Sequence, residues 1–458
     1  MKHLFIVLMF VTILFSSVFS QNATLSLEDC IQIALENNPT ININRNLNLS
    51  AGEDVLGSYA GILPLIDMSA NTGRYEAGAR ETEGDNIVGF DSLTQKFIYK
   101  RGIITQPGYV TDYNQVSFNM SQNIFDGGEW WNAIKYAKSQ KRSSNYNLNS
   151  VINTVVQNVQ ERFFDLLKQQ KLLEVNELAV QRSQDQLDKT QKMFELGAVA
   201  KVDVFRSRVN LGNDKIQMLL QKNAVISAKN SLNLVMGRDP RAPLEIKLEL
   251  ELKPSYGNID ELIETAIQHN PDLKKSEEDV YSNDLQISRS YAVLWPNFGA
   301  FFQYSRSNEF IERVYSGLDK NWNMRYGVGL SINLFNGFRD KVRIQKSKLA
   351  LRNTQEQHEE LKRTIRGSII QLIDNYNSYL EIIEINEDNL EASQEEYRLA
   401  EERYRIGSGT ALEVREAQVN LTRAEQTLVS AQYNARITQA QLEQKLGTIF
   451  QANQEIIE

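Results

Sequence analysis

Met324-Arg325-Tyr326-Gly327-Val328-Gly329-Leu330-Ser331-Ile332-Asn333-Leu334-Phe335 alternates without a break: Met, Tyr, Val, Leu, Ile and Leu fall on one face, Arg, Gly, Gly, Ser and Asn on the other. Alternation with period two is the signature of a strand. Its large apolar face and small polar face suit a sheet with lipid on one side and a polar space on the other. The stretch 115–124 repeats the pattern, with Val116, Phe118, Met120 and Ile124 opposite Gln115, Ser117, Asn119, Ser121 and Asn123. Each is preceded by a partner strand, about 65–76 and 297–306, so four strands of membrane-crossing length are predicted. Half-buried soluble hairpins alternate too, and alternation alone leaves that reading open.

The two hairpins belong to a duplicated chain. At an offset of 210, Phe125 and Gly127 align with Phe335 and Gly337, Gly197 with Gly407, Val209-Asn210-Leu211 with Val419-Asn420-Leu421, and Gly237 with Gly447. Nearer the start of each copy the offset is 232, pairing Asn38-Pro39 with Asn270-Pro271 and Pro64 with Pro296. The 22 residues that make the difference fall between Pro64 and Phe125, where Gly73, Gly78, Gly84, Gly89, Gly102, Pro107 and Gly108 predict a long loop.

Outside the hairpins the period is that of helices. Residues 108–239 contain no proline, and none follows Pro296. Stretches 129–195 and 338–405 each read as one helix of about 100 Å at 1.5 Å per residue. Ile365, Ile369, Leu372, Tyr376, Tyr379, Ile383 and Leu390 step by threes and fours, the spacing of a coiled-coil seam. Val414, Ala417, Leu421, Ala424, Leu428, Ala431, Ala435 and Leu442 keep the same register in the last helix, with alanines admitting a close neighbour.

The division that follows has a signal peptide at 1–20 and a first repeat at 21–237. That repeat holds a helix, a β-hairpin at about 65–125, a long helix at 129–195, a tip at about 196–201 and a helix to 237. A connector at 238–257 leads to a second repeat at 258–447, with a hairpin at about 297–335, a long helix at 338–405, a tip at about 406–411 and a helix to 446. Residues 448–458 form a tail. The signal rests on Lys2, the apolar run Leu4 to Phe15 and the small residues up to Ser20.

Composition excludes several classes. Of 458 residues, 41% are hydrophobic and 24% charged, and the mean hydropathy of -0.41 rules out a bundle of transmembrane helices. One cysteine, Cys30, excludes a disulfide framework. Removing the signal takes away Lys2 and no acidic residue, leaving 49 basic against 58 acidic residues, so no basic stripe for nucleic acid is expected. Three histidines, one of them in the signal, give no metal cluster, and no catalytic motif or cofactor site is legible.

Four strands cannot close a barrel, and open edges do not survive in lipid. Spanning a membrane would therefore require several chains: two would give eight strands with a filled interior, three would give twelve with room for a lumen.

The carriers of a family resemblance occur in order and mostly twice. They are Ala34-Leu35-Glu36-Asn37-Asn38-Pro39 and Ala266-Ile267-Gln268-His269-Asn270-Pro271, the steps Leu63-Pro64 and Trp295-Pro296, and the steps Phe125-Asp126-Gly127-Gly128 and Phe335-Asn336-Gly337-Phe338. Phe163-Phe164-Asp165-Leu166-Leu167 and the reversals Leu196-Gly197 and Ile406-Gly407 complete the set. On these the mature chain resembles the TolC-type outer membrane efflux protein family. The resemblance implies an α+β membrane protein: a homotrimer whose four strands per chain form one twelve-stranded barrel in the outer membrane lipid of a Gram-negative envelope. Its long antiparallel coiled-coil helices would form a periplasmic tunnel. It also implies a passive exit for a tripartite efflux or type I secretion system, with a periplasmic adaptor and an inner membrane pump of RND or ABC type as partners, and no enzymatic activity. A periplasmic coiled-coil tether without a channel is the competing reading.

Site residues follow from the same resemblance. Glu413 and Glu416 match an acidic pair that lines the periplasmic constriction; as a bare sequence such a pair is more commonly a solvated helix face, and the resemblance reverses that reading. Asp203 matches a residue in the links that hold the tips closed, with Tyr404 as its partner. Gly409 departs from the family, whose best-known members carry a basic residue there. Gly197, Lys201, Arg405, Gly407 and Ser408 mark the tips on which an adaptor would dock.

Overall fold

A computed structural model describes residues 24–247, 251–252 and 255–449. The expected signal peptide, part of the connector and the tail beyond residue 449 lie outside them. In chain order, α1 (Leu27–Asn37) and α2 (Pro39–Ser58) lead into β1 (Leu65–Ala77), β2 (Arg80–Asp91), β3 (Lys96–Gln106) and β4 (Tyr109–Phe125). Helices α3 (Glu129–Glu195), α4 (Lys201–Val235), α5 (Ile259–His269) and α6 (Pro271–Ala292) come next. The chain continues through β5 (Asn297–Asn308), α7 (Ile311–Tyr315), β6 (Trp322–Ser331), α8 (Arg339–Arg405) and α9 (Ala411–Leu446). The long helices α3 and α8 have 67 residues each.

The fold divides into two compact units. One takes the described residues up to 51 together with 139–281 and those from 352 on; the other takes 52–138 and 282–351.

The first unit is helical, and its helix ends show why the sequence repeats Asn-Pro and Gly. Asn38 accepts from Thr40 N at 2.8 Å, capping α2, and its Nδ2 donates to Val235 O at 2.8 Å, in the last turn of α4. Asn270 does the same for α6 and α9, accepting from Asp272 N and donating to Lys445 O, both at 2.9 Å. Pro39 and Pro271 occupy the first helical position, where no N–H is needed. Gly237 and Gly447 have φ of 75° and 76°, and a Cβ on them would sit 2.5 Å from Asn37 O and 2.7 Å from His269 O. Only glycine meets both demands. The core beside these joints contains Cys30, Val156, Phe163, Phe164, Leu166, Leu232 and Met236. A second cluster joins Ile365, Ile369 and Ile373 of α8 to Ala266, Leu273 and Leu442. Val414, Ala417, Leu421, Ala424, Ala431, Ala435 and Leu442 of α9 are buried, as their heptad register requires. In the connector, Ile246 makes an isolated parallel bridge with Leu25.

The second unit holds an antiparallel sheet in the order β1-β4-β5-β6. Its register sorts side chains by face. Ile66 and Met68 stand opposite Met120 and Phe118, these opposite Phe302 and Tyr304, and these opposite Tyr326 and Met324. One step along, Asp67, Asn119 and Gln303 share the other face, where Asn119 donates to Asp67 at 2.8 Å. A slip of one residue would invert every position, so the alternating pattern pins the register. Much of the apolar face is exposed: Tyr326 is 72% and Leu330 70% exposed.

Two expectations need correction. Residues 80–106 are not a loop: β2 and β3 pair from Arg80↔Gln106 to Asp91↔Lys96 as a separate two-stranded sheet, so the chain has more strands than the four predicted. Its glycines sit where a cross-strand neighbour fills the space. Gly84 faces Gly102, a Cβ on Gly84 would lie 2.7 Å from Ile104 Cδ1, and Phe90 meets Phe97 edge-on at 5.2 Å. The last strand also ends at Ser331, so residues 332–335 lie past the ladder.

Cys30 gives a direct test of the helical core. It is fully buried, and burial, reinforced by the adjacent Asp29 carboxylate, pushes its thiol up to about 12. The thiol should therefore stay protonated and unreactive at pH 8. We predict no labelling of the folded protein by a maleimide or iodoacetamide and one label per chain after denaturation; rapid labelling of the folded protein would place Cys30 outside the core.

Candidate functional site

Both helix reversals lie in the first unit and close in the same way. At the first, Gly197 takes φ of 74°, its N–H bonds Phe194 O at 2.9 Å, and Ala198 N bonds Met193 O at 2.8 Å. At the second, Gly407 takes φ of 77°, Ser408 N bonds Arg403 O at 2.9 Å, and Thr410 Oγ1 caps α9 by accepting from Glu413 N at 3.2 Å. These are left-handed helix ends, which satisfy terminal carbonyls at little cost when the residue is glycine. Lys201, Arg405 and Ser408 are exposed beside them, and the Lys201 ammonium lies 5.8 Å from the Phe205 ring. The reversals also expose Leu196, Val202, Phe205, Ile406 and Leu412. Charge and motif position drew the sequence reading to the polar residues; the apolar ones were legible only as breaks in the heptad pattern.

Glu413 and Glu416 stand one turn apart on α9 in different surroundings. Glu413 Oε2 lies 3.4 Å from Arg403 Nη1, across the reversal. Glu416 is exposed and makes no ion pair among the described residues. The same arginine explains Gly409: a Cβ there would lie 3.1 Å from Arg403 Cβ, and Arg403 Nη2 also donates to Ser408 O at 3.3 Å.

Asp203 and Tyr404 do not bond each other within the chain. Tyr404 is buried and its hydroxyl lies 3.3 Å from Thr190 Oγ1, which Ser207 Oγ also reaches at 3.4 Å. The Asp203 carboxylate is held by Arg206, one turn along α4, at 3.2 Å. Each group is satisfied locally, so the pairing expected from the resemblance is not made inside one chain.

Further along the same helices a polar network joins α3, α4 and α9. Arg415 binds Asp214 in bidentate fashion, at 2.6 and 2.9 Å, and Asp214 also accepts the Ser183 hydroxyl. Gln418 donates to Ser183 Oγ at 2.8 Å and to Ala179 O at 3.1 Å. Arg182 pairs with Glu425 at 2.7 Å, and Lys189 pairs with Glu401. Burial, with the Glu401 carboxylate adding to it, pushes the Tyr397 phenol above its ordinary value. Among the described residues no group of histidine, cysteine or carboxylate side chains is placed to hold a metal ion.

Comparison with known proteins places this geometry in context. The profile of the outer membrane efflux protein family matches residues 30–238 and 262–448. The chain is 23% identical over 293 residues to the probable efflux pump outer membrane protein TtgC of Pseudomonas putida, a match covering 64% of this chain and 60% of that relative. It is 21% identical over 443 residues to the outer membrane protein TolC of Vibrio cholerae, covering 95% of this chain and 92% of the relative. Its fold matches the crystal structure of the Campylobacter jejuni CmeC outer membrane channel with a TM-score of 0.77 at 16% identity, covering 92% of this chain and 85% of that one.

The Arg415–Asp214 pair gives a stability test. Removing one partner of this partly buried ion pair, 23% and 13% exposed, leaves an under-compensated charge and costs about 1–3 kcal/mol, whereas replacing both can be neutral. We predict that Asp214→Leu or Arg415→Met alone lowers the thermal midpoint of the helical circular dichroism signal, and that the double variant regains most of the loss. Single variants melting with the parent would show that the pair carries no such weight.

Proposed function

The chain belongs to the outer membrane efflux protein family and has its place in the outer membrane, and from this we propose that it is the outer membrane channel of a tripartite efflux or type I secretion system. Substrates delivered by an inner membrane pump of RND or ABC type, through a periplasmic adaptor, leave by it passively. The observation that carries this reading is the four-stranded sheet with an exposed apolar face, a polar face and an unpaired edge on both β1 and β6. In lipid such edges must be paired. Three chains joined β6 to β1 give twelve strands, with Asp67, Asn119 and Gln303 toward a lumen and Met68, Tyr326 and Leu330 toward lipid; two chains would leave no lumen. β5, with 12 residues, is long enough to cross. A soluble coiled-coil tether leaves that uncovered apolar face without a purpose.

At the reversals, Lys201, Arg405 and Ser408 with exposed Leu196, Val202, Phe205 and Ile406 form the surface on which the adaptor docks. Gly197 and Gly407 shape it. Glu413 and Glu416 form the acidic periplasmic constriction, six carboxylates around a three-fold axis. Such a ring raises the local cation concentration, the more so in a narrow low-dielectric mouth. Arg403 partly neutralises Glu413, which leaves Glu416 as the stronger contributor. Asp203 and Tyr404 take part in the links that hold the tips closed; within one chain only the Tyr404 contact with Thr190 joins two helices, and the Asp203 link would be made between chains.

The protein should run as a trimer in native mass spectrometry; a stable, folded monomer would sink the reading. In planar bilayers, Glu416→Ala should reduce cation preference and relieve block by a trivalent cation more than Glu413→Ala does, with the double variant affected most. Unchanged selectivity and block in the double variant, with trimers intact, would return both residues to a solvated face.

A further inference from the structure

The connection between β5 and β6, residues 309–321, is fastened to one particular face of the sheet. Arg306 has the parity of Phe302 and Tyr304 and stands opposite Val116 and Trp322, so its side chain leaves β5 on the apolar side. It is nevertheless only 6% exposed. Its Nη2 donates to Ser316 O at 2.8 Å, Gly317 O at 2.9 Å and Lys320 O at 3.2 Å, all in the connection. Asn114, on the same face of β4, donates to Glu309 O at 2.9 Å, and Val314 of α7 is buried. The segment therefore lies over the end of the apolar face, away from the polar one.

Two further observations give the surroundings. No carboxylate pairs with Arg306 among the described residues; backbone carbonyls on Nη2 are its partners, and its buried Nε and Nη1 have none. In water this would gain an arginine little, but beside lipid a guanidinium must be covered by dipoles or leave. The outside of the covering segment is amphipathic, with Phe310, Ile311, Tyr315 and Leu318 exposed, Leu318 at 74%, between exposed charges at Glu309, Glu312, Arg313, Asp319 and Lys320. Trp322, at the start of β6, is exposed and donates its indole N–H to Asp319 O at 3.2 Å. Aromatic groups with one polar end beside aliphatic ones suit the boundary between hydrocarbon and headgroups.

We propose that residues 309–321 are a lipid anchor: the segment lies outside the barrel at the headgroup level of the outer leaflet, inserts Tyr315 and Leu318, and leaves the lumen unobstructed. Arg306 is the pin that holds it there. This rests on the reading that the apolar sheet face meets lipid. Its occupant is lipid because exposed Phe310, Tyr315 and Leu318 adjoin the apolar sheet face, and the charged residues between them suit the headgroup layer rather than hydrocarbon.

Because Cys30 is buried, single cysteines can carry an environment-sensitive fluorophore. Leu318→Cys would be compared with Val328→Cys on the apolar face, Ser305→Cys on the polar face and Leu93→Cys at the β2–β3 turn. Trimers would be placed in phosphatidylcholine–phosphatidylglycerol vesicles with nitroxide lipids. The Leu318 site should be quenched best by a shallow nitroxide, the Val328 site by a deep one, and the other two by aqueous iodide alone. In Arg306→Met trimers that keep heat-modifiable gel migration, lipid quenching at the Leu318 site should fall toward that of the Leu93 site. A Leu318 site that behaves like the Leu93 site while Val328 remains in lipid would overturn the anchor. Loss of lipid quenching at Val328 would instead overturn the barrel reading, and unchanged quenching in Arg306→Met would remove the pin.

Discussion

In each half of the chain one asparagine side chain joins the beginning of one helix to the end of another, and the helical unit is organised around these two joints. Asn38 caps α2 while satisfying the carbonyl of Val235, and Asn270 caps α6 while satisfying that of Lys445. A helix end in the interior would otherwise leave polar groups unpaired, at about 1–3 kcal/mol each. The joint removes that penalty and lets one short helix begin where another stops. Gly237 and Gly447 allow the backbones to approach, and proline at the first helical position fixes the entry angle. Two short helices per half thereby accompany a helix of 67 residues without either needing that length.

The sheet obeys a different constraint, one of register. Because side chains alternate, each pairing carries the apolar set of one strand onto that of the next, from Ile66 through Met120 and Phe302 to Tyr326. The result is two chemically opposite faces with no core between them. A sheet of this kind is unfinished as a soluble object. On the function proposed above, other copies and an apolar medium complete it, which is why the sheet, more than the helices, supports the export reading.

Periodic features were legible in the sequence and singular ones were not. Strict alternation located β4, β5 and β6, and steps of three and four located α8 and α9, because burial repeats along a regular element. The β2–β3 sheet escaped because glycines at 84, 89 and 102 read as loop text, while the Ile104, Ile98 and Asn86 side chains that fill the space beside them come from the partner strand. Of the candidate site, the glycine reversals and the positions of Glu413 and Glu416 were readable. The Arg403 contact with Glu413 was not, since it crosses a turn whose geometry has to be known first. The contact of the Tyr404 hydroxyl with Thr190 was not legible either, since it depends on how α3 and α8 pack side by side. Arg306 had the parity of an apolar face, and no rule of composition says that a loop will fold back to cover it.

The interior near the reversals is held by Gln418, Ser183, Thr190, Asp214 and Arg415, whose bonds have direction as well as strength. Oily helix faces can slide over one another by fractions of a turn at small cost. Faces joined by hydrogen bonds move only by giving up one partner and taking the next, about one helical turn away. Several directional bonds would thus have to break together before α3, α4 and α9 could shift past one another, so the network fixes their register more sharply than apolar packing alone would.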